Sequence, residues 1–233
     1  GDPGWFTRLL TIRDTTRPDG SPVISEAAIE ALRRRGVDEE LIQAEYYCSF
    51  AGGVHGSYFS EQLRLMEQDG RLTRVPWETA LPVWTAWDLG IGDSTAIWFY
   101  KTIGREVRFI DFFQTSGEGL PFFVKMLRDR PYVYAFEHLA PHDIEVRELT
   151  TGKSRKETAL KDYGLRFRAV PKLGKDEQID AARRIFSRCY FDTGKCEVGM
   201  NALGNYHMEW EERRQAFNRT PYHDWSSDAA DAF

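Results

Sequence analysis

Residues 83–100 read Val83-Trp-Thr-Ala-Trp87-Asp88-Leu-Gly90-Ile-Gly92-Asp-Ser-Thr95-Ala-Ile-Trp-Phe-Tyr100. Two apolar, β-prone runs, Val83 to Trp87 and Thr95 to Tyr100, flank a turn rich in Gly, Asp and Ser, which predicts a tight hairpin of two strands. Asp88 falls where the first strand ends, so its carboxylate leaves a dry strand and meets solvent. Gly90 and Gly92 lack the Cβ atoms that would keep a phosphate or hydrated metal from the backbone. The same Asp, Gly and Ser residues also serve plain turn chemistry, so the stretch suggests a site without defining one.

The 233 residues around it, 42% hydrophobic and 14% aromatic, have the composition of a globular chain able to bury a full core. No apolar run approaches the roughly 20 residues that span a bilayer, and the start lacks a signal pattern, so a soluble protein that stays in the cell is expected. The odd, widely spaced Cys48, Cys189 and Cys196 argue against a disulfide framework and against zinc. The net charge of -5 is unevenly spread: Arg147 to Arg188 holds twelve Lys or Arg against six acids. Such a segment suits a phosphate-facing surface, although mixed charge on solvated helices gives a similar count.

Gly1 to Gly20 is polar and irregular, and the abrupt ends at Gly1 and Phe233 suggest a cut fragment. Ser25 caps an expected helix over Glu26 to Arg35, closed by Gly36. Further helices are expected over Glu39 to Tyr47 and Ser60 to Gln68, with the loop Ala51 to Gly56 between them. Residues 1–81 therefore read as a linker and helical lead-in, and 82–233 as the main domain.

After the hairpin, Glu106 to Gln114 alternates as a third, antiparallel strand. A helix over Gly119 to Arg128, a fourth strand over Tyr132 to Glu137, and a helix carrying Ile144, Val146 and Leu149 follow. Lys156 to Tyr163 is expected to be helical, Leu165 to Val170 a fifth strand, and Lys175 to Cys189 and Ala202 to Phe217 helices. That order resembles the ribonuclease H-like fold: an α/β architecture with a mixed sheet of five or more strands and helices on both faces. Strands one and four are neighbours there, so Asp88 and an acid just past strand four would face one spot.

Asp143 is the first choice for that second acid, at the start of a helix, with Glu137 nearer the strand end as its rival. Asp143 is otherwise a helix cap and Glu137 an ordinary strand-end charge. Asp228 and Asp231, three apart on a short terminal helix, would share one face, while Asp224 is a capping candidate. Acids without clustered His or Cys favour hard cations, Mg²⁺ or Mn²⁺. Two such ions, bridged by Asp88, would activate a water and stabilise the leaving oxygen of a phosphodiester.

The chain also resembles the C-terminal nuclease domain of the large terminase subunit of tailed bacteriophages. The likeness runs through Gln43-Ala-Glu-Tyr-Tyr-Cys-Ser-Phe50 with Gly56-Ser-Tyr-Phe59, Trp87 to Thr95, Leu139-Ala-Pro-His-Asp143 with Thr151-Gly-Lys-Ser-Arg155, and His223 to Phe233. It implies a metal-dependent endonuclease that cuts concatemeric viral double-stranded DNA during genome packaging. Asp88, Asp143 and Asp231 match the family's metal-binding acids, and Asp228 stands where relatives often carry His. Lys153, Arg155, Lys172 and Lys175 in the basic segment are candidate DNA contacts. The family's partners are an ATPase motor domain, a small terminase subunit and the portal, in the bacterial host cytoplasm, with no membrane. No GxxxxGK[ST] motif occurs, so the motor is expected to be missing and ATP unnecessary for cutting.

Three rivals stand beside this reading. The Asp88 to Thr95 turn also resembles the first phosphate loop of actin-like and sugar-kinase ATP-binding proteins, which need a second domain and a second glycine-rich loop. A non-catalytic module that docks DNA or the portal would keep the fold without gathering three carboxylates. A junction resolvase or integrase would share the acids but not the lead-in.

Overall fold

A computed structural model of the chain describes residues 11–37, 42, 46–47, 56–90, 94–211, 214 and 216–233. The helix expected over Glu39 to Tyr47, the 51–56 loop up to Gly56, and Gly92 lie almost wholly outside these residues. Ser25 does cap the first helix, α1 (Glu26–Arg34), by accepting from the Ala28 amide at 3.3 Å. Ile29 on α1 packs with Ile12 and Ile42 in a small cluster of its own.

From Ser57 onward the chain builds one sheet. Helix α2 (Ser60–Gln68) leads into β1 (Leu72–Thr73), and the expected hairpin forms as β2 (Trp84–Asp88) and β3 (Ser94–Ile103). Next come β4 (Glu106–Ser116), α3 (Leu120–Asp129), β5 (His138–Ala140), a 3₁₀ turn (His142–Glu145), α4 (Arg155–Tyr163) and β6 (Phe167–Ala169). The chain closes with α5 (Lys175–Phe186), β7 (Cys189–Asp192), α6 (Glu197–Asn205), the hairpin β8 (Met208–Glu211) and β9 (Ala216–Pro221), and α7 (Ser227–Ala232). The main sheet has seven strands in the order β1-β7-β4-β3-β2-β5-β6. Its five strands β4-β3-β2-β5-β6 are the ribonuclease H-like arrangement, extended at one edge by β7 and β1.

Thr95 to Phe99 is buried without interruption because helices cover both faces of the sheet. Alternate side chains divide between the two layers. Ile97 and Phe99 join Trp87, Phe123 and Phe167 on the side of α3 and α4. Ala96 and Trp98 join Phe109, Phe191, Leu63, Phe186 and Met200 under α2, α5, α6 and α7.

Four expected elements differ. The fourth strand is broken: Val83 pairs with the 133–135 segment, its amide bonding the Val133 carbonyl at 2.8 Å, but the next pairing is Ala86 with Leu139. Three residues on β2 thus face five on its partner, so Phe136 and Glu137 bulge out, Phe136 being 77% exposed. The expected helix over Ile144 to Leu149 is only the 3₁₀ turn. Ile144 is buried, whereas Val146 and Leu149 are exposed, so no apolar face exists to hold a longer helix. Helix α5 stops at Phe186, and Cys189 opens β7, whose Phe191 fills the core. The helix expected over 202–217 ends at Asn205, beyond which period-two side chains Tyr206, Met208 and Trp210 form the β8–β9 hairpin.

Gly199 on α6 sits directly against the Trp98 ring. A Cβ there would lie 2.4 Å from Trp98 Cη2 and 2.8 Å from the Phe112 ring. Gly199→Ala is therefore expected to cost about 1–3 kcal/mol by overpacking and to lower the melting temperature by several degrees. A melting curve matching the wild type would show that this layer has room to spare.

Candidate metal centre

Asp88 ends β2, and its register sets the geometry of the site. It pairs with Ala96 on β3, which pairs with Gln114 on β4, so the three form a row across adjacent strands. Residues opposite one another across strands share a sheet face. That face belongs to Ala96 and hence to α7. Ala96 has a single methyl group, which leaves space above the row for the helix.

Helix α7 is seated by its own backbone. The buried Trp98 indole N–H donates to the Ala229 carbonyl at 2.8 Å, and Ala229 and Ala232 face the core. The flanking acids then stand beside the strand ends. Asp228 accepts from the Ser94 hydroxyl and, at 3.4 Å, from Gln114 Nε2, which also donates to Ser94 Oγ at 2.6 Å. Asp231 accepts from Lys175 Nζ at 2.6 Å. Burial first, and the Asp231 charge second, push the Tyr206 hydroxyl pKa upward. Asp224 accepts from the Ser226 amide at 2.9 Å and serves as the local cap, as its spacing suggests.

Asp143 lies in the 3₁₀ turn just beyond β5 and is exposed. Since Ala86 pairs in parallel with Leu139, Pro141 falls level with Asp88, and the turn carries Asp143 to that end of the sheet. Glu137 lies in the bulge that precedes β5. It pairs with Arg168 at 3.9 Å and is not brought to the acids.

Asp88 feels the other three carboxylates. Asp88 is lifted from the ordinary carboxylate range to about 7, first by burial and then by the charges of Asp231, Asp228 and Asp143, with Lys175 opposing. An oxygen-only donor set with this excess of negative charge suits a hard divalent cation. Among the described residues, no three His, Cys, Asp or Glu side chains stand close enough to form a finished cage. The acids converge on one place without closing on it.

The basic candidates separate. Lys175 is paired with Asp231. Arg155 is half-buried and donates to the Leu89 carbonyl at 3.4 Å, just past Asp88, where Thr95 Oγ1 also holds the Gly90 carbonyl at 2.9 Å. Lys153 and Lys172 are exposed. Other charges of the basic segment are balanced locally, as in Lys156–Glu145 at 2.7 Å. Ser94, Gln114 and Tyr206 escaped the sequence reading. Only the register across three strands, and the path of the chain after α6, bring them to the acids. A cleft of about 330 Å³ runs beside Asp231 and Lys175, walled mainly by apolar residues such as Leu139, Val170 and Ile179.

Solved structures share this architecture. The large terminase of a thermophilic bacteriophage, in complex with ATP-gamma-S, superposes with a TM-score of 0.54 at 12% identity, over 92% of this chain and 52% of that one. The chain shares its fold with part of a large terminase. A second crystal form of the same phage protein gives a TM-score of 0.50 at 13% identity, over 71% of this chain and 40% of that one. The nuclease domain of the large terminase of phage P22 gives 0.49 at 16% identity, over 69% and 81%. The chain thus spans about half or less of the length of the thermophilic phage's large terminase. No family model matches it, and no curated protein matches it by sequence. Among the described residues, no helix is long and apolar enough to cross a membrane.

The acids have a measurable consequence without any metal. A carboxyl whose pKa rises on folding favours the fold while protonated. That contribution is complete below the ordinary value of 3.8 and is lost as the pH passes about 7. In EDTA at pH 8, Asp88→Asn is expected to be more stable than the wild type by on the order of 3 kcal/mol, the gap closing toward pH 4. Urea unfolding at both pH values tests this, and a gap independent of pH would contradict it.

Proposed function

We propose that this chain is a metal-dependent endonuclease of the large-terminase kind, acting on concatemeric viral double-stranded DNA during genome packaging. The observation that supports it best is the placing of Asp88, Asp143, Asp228 and Asp231 at one end of a ribonuclease H-like sheet, where burial and then the three neighbouring charges raise Asp88 to about 7. In this reading the four acids hold two Mg²⁺ or Mn²⁺ ions. Asp88 is the shared ligand, with Asp143 on one side and Asp228 and Asp231 on the other.

Bound ions of this type supply an activated water and stabilisation for the leaving oxygen of a phosphodiester. The chain's own residues do the positioning. Ser94 and Gln114 hold the Asp228 carboxylate, and Lys175 pairs with Asp231. Lys153 and Lys172 meet the DNA backbone, while Arg155 holds the Leu89 carbonyl next to Asp88. Partners in this reading are an ATPase motor domain, the small terminase subunit and the portal, in the host cytoplasm.

The docking-module reading has one observation in its favour, the lack of a closed three-ligand cage among the described residues. Plasmid cleavage without ATP, in Mn²⁺, Mg²⁺ or EDTA, separates the two. The nuclease should nick and linearise with metal only. Asp88→Asn and Asp143→Asn should each reduce cleavage by more than about 100-fold and Ser94→Ala by about tenfold, since supporting residues around a metal typically cost 10–100-fold. A folded chain that cuts with neither metal would favour docking.

A further inference from the structure

Lys175 was a candidate for phosphate contact, yet its ammonium lies 2.6 Å from Asp231 Oδ1, and both side chains are only 41% and 35% exposed. Its charge also counters the repulsion on Asp88. Lys175 is the first residue of α5, a helix held on the sheet by Ile179 and Phe186, so the backbone under the ammonium is fixed while its four-carbon stem can swing. Asp231 stands on α7, whose Ala229 carbonyl is held by the Trp98 indole at 2.8 Å, so the backbone under the carboxylate keeps its place if the lysine leaves.

We propose that Lys175 is a built-in counter-ion that occupies Asp231 in place of a divalent cation and must be displaced before the acids are fully loaded. This rests on the nuclease reading above and adds a competition to it. An ammonium and a divalent cation held against one carboxylate repel each other, so the ion entering at Asp231 works against the Lys175 pair. Loading Asp231 therefore costs its ion pair, and the released ammonium becomes available to a DNA phosphate on the same side of the sheet. The carboxylates would then be protected from mutual repulsion while unloaded, and the lysine would turn toward substrate only in the loaded state.

Two measurements on the whole chain test the competition. In an Mn²⁺ titration followed by electron paramagnetic resonance of the free ion, Lys175→Gln should bind Mn²⁺ more tightly than the wild type by about fivefold, the scale of a partly exposed ion pair. Lys175→Arg, which can keep the pair, should stay near the wild type. Amine labelling of Lys175, read by mass spectrometry, should speed up when Mn²⁺ is added to the wild type. If the wild type binds Mn²⁺ but Lys175→Gln binds it no tighter, or if labelling does not respond to the ion, the competition is overturned and the nuclease reading stands. If the wild type and Asp88→Asn both fail to take up Mn²⁺, the nuclease reading fails and the competition falls with it.

Discussion

A buried indole N–H usually finds an acceptor, and the Trp98 indole finds the Ala229 carbonyl on a six-residue helix. A helix that short has no stability of its own, so its position is imposed by the sheet beneath it. Everything around this joint makes room for it. Gly199 lets α6 come close to the Trp98 ring, Ala96 keeps the strand surface low, and Ala229 and Ala232 are the residues that α7 turns inward. The Phe233 ring continues the same layer, 4.9 Å from Phe186 and 5.2 Å from Phe109. Once the apolar side of α7 is fixed downward, Asp228 and Asp231 have no other place than beside the ends of β2 and β3.

Gathering four carboxylates works against stability, and the fold tolerates it by specific means. Asp88 takes up a proton near neutrality, Lys175 supplies one positive charge to Asp231, and the Ser94 hydroxyl and Gln114 amide hold Asp228. His138 is the contrast within the same strands. It is buried beside Thr85, 2.6 Å from its hydroxyl, and burial lowers its basicity to about 4, so it is neutral at pH 7 and serves packing among Trp87, Tyr134 and Phe167. One titratable group is neutralised to support the core; the other is held in a charge conflict that a proton or a cation relieves. Local conflict of this kind, in an otherwise consistent fold, marks a functional site.

The hairpin, the meander and the helix caps were legible because period-two apolar runs and turn residues are local signals. Asp88 was legible for the same reason. Short strands were not: Leu72–Thr73 and Cys189–Asp192 are too brief to show alternation, and the latter runs on from a helical pattern that ends at Phe186. The β8–β9 hairpin was hidden because the residues after Ala202 also suit a helix until Tyr206 adopts extended backbone. Ser94 and Gln114 were out of reach in principle. A row across β2, β3 and β4 exists only when the register is known, and no spacing in the sequence encodes it.

The choice between Glu137 and Asp143 turns on two residues of bulge. Had β5 continued in the register set by Val83 and Tyr134, Glu137 would stand level with Ala86, one pleat below Asp88 and on its face of the sheet. The bulge at Phe136 and Glu137 moves the chain on by two, so Leu139 takes that level and the strand leaves the sheet at Pro141, beside Asp88. Glu137 is left in the bulge, paired with Arg168, and the 3₁₀ turn carries Asp143 toward the Asp88 end of the sheet. Proline at 141 reinforces the exit, since it has no N–H to continue the ladder. A local irregularity in one strand thus decides which carboxylate can take part in the site, and it does so through register alone.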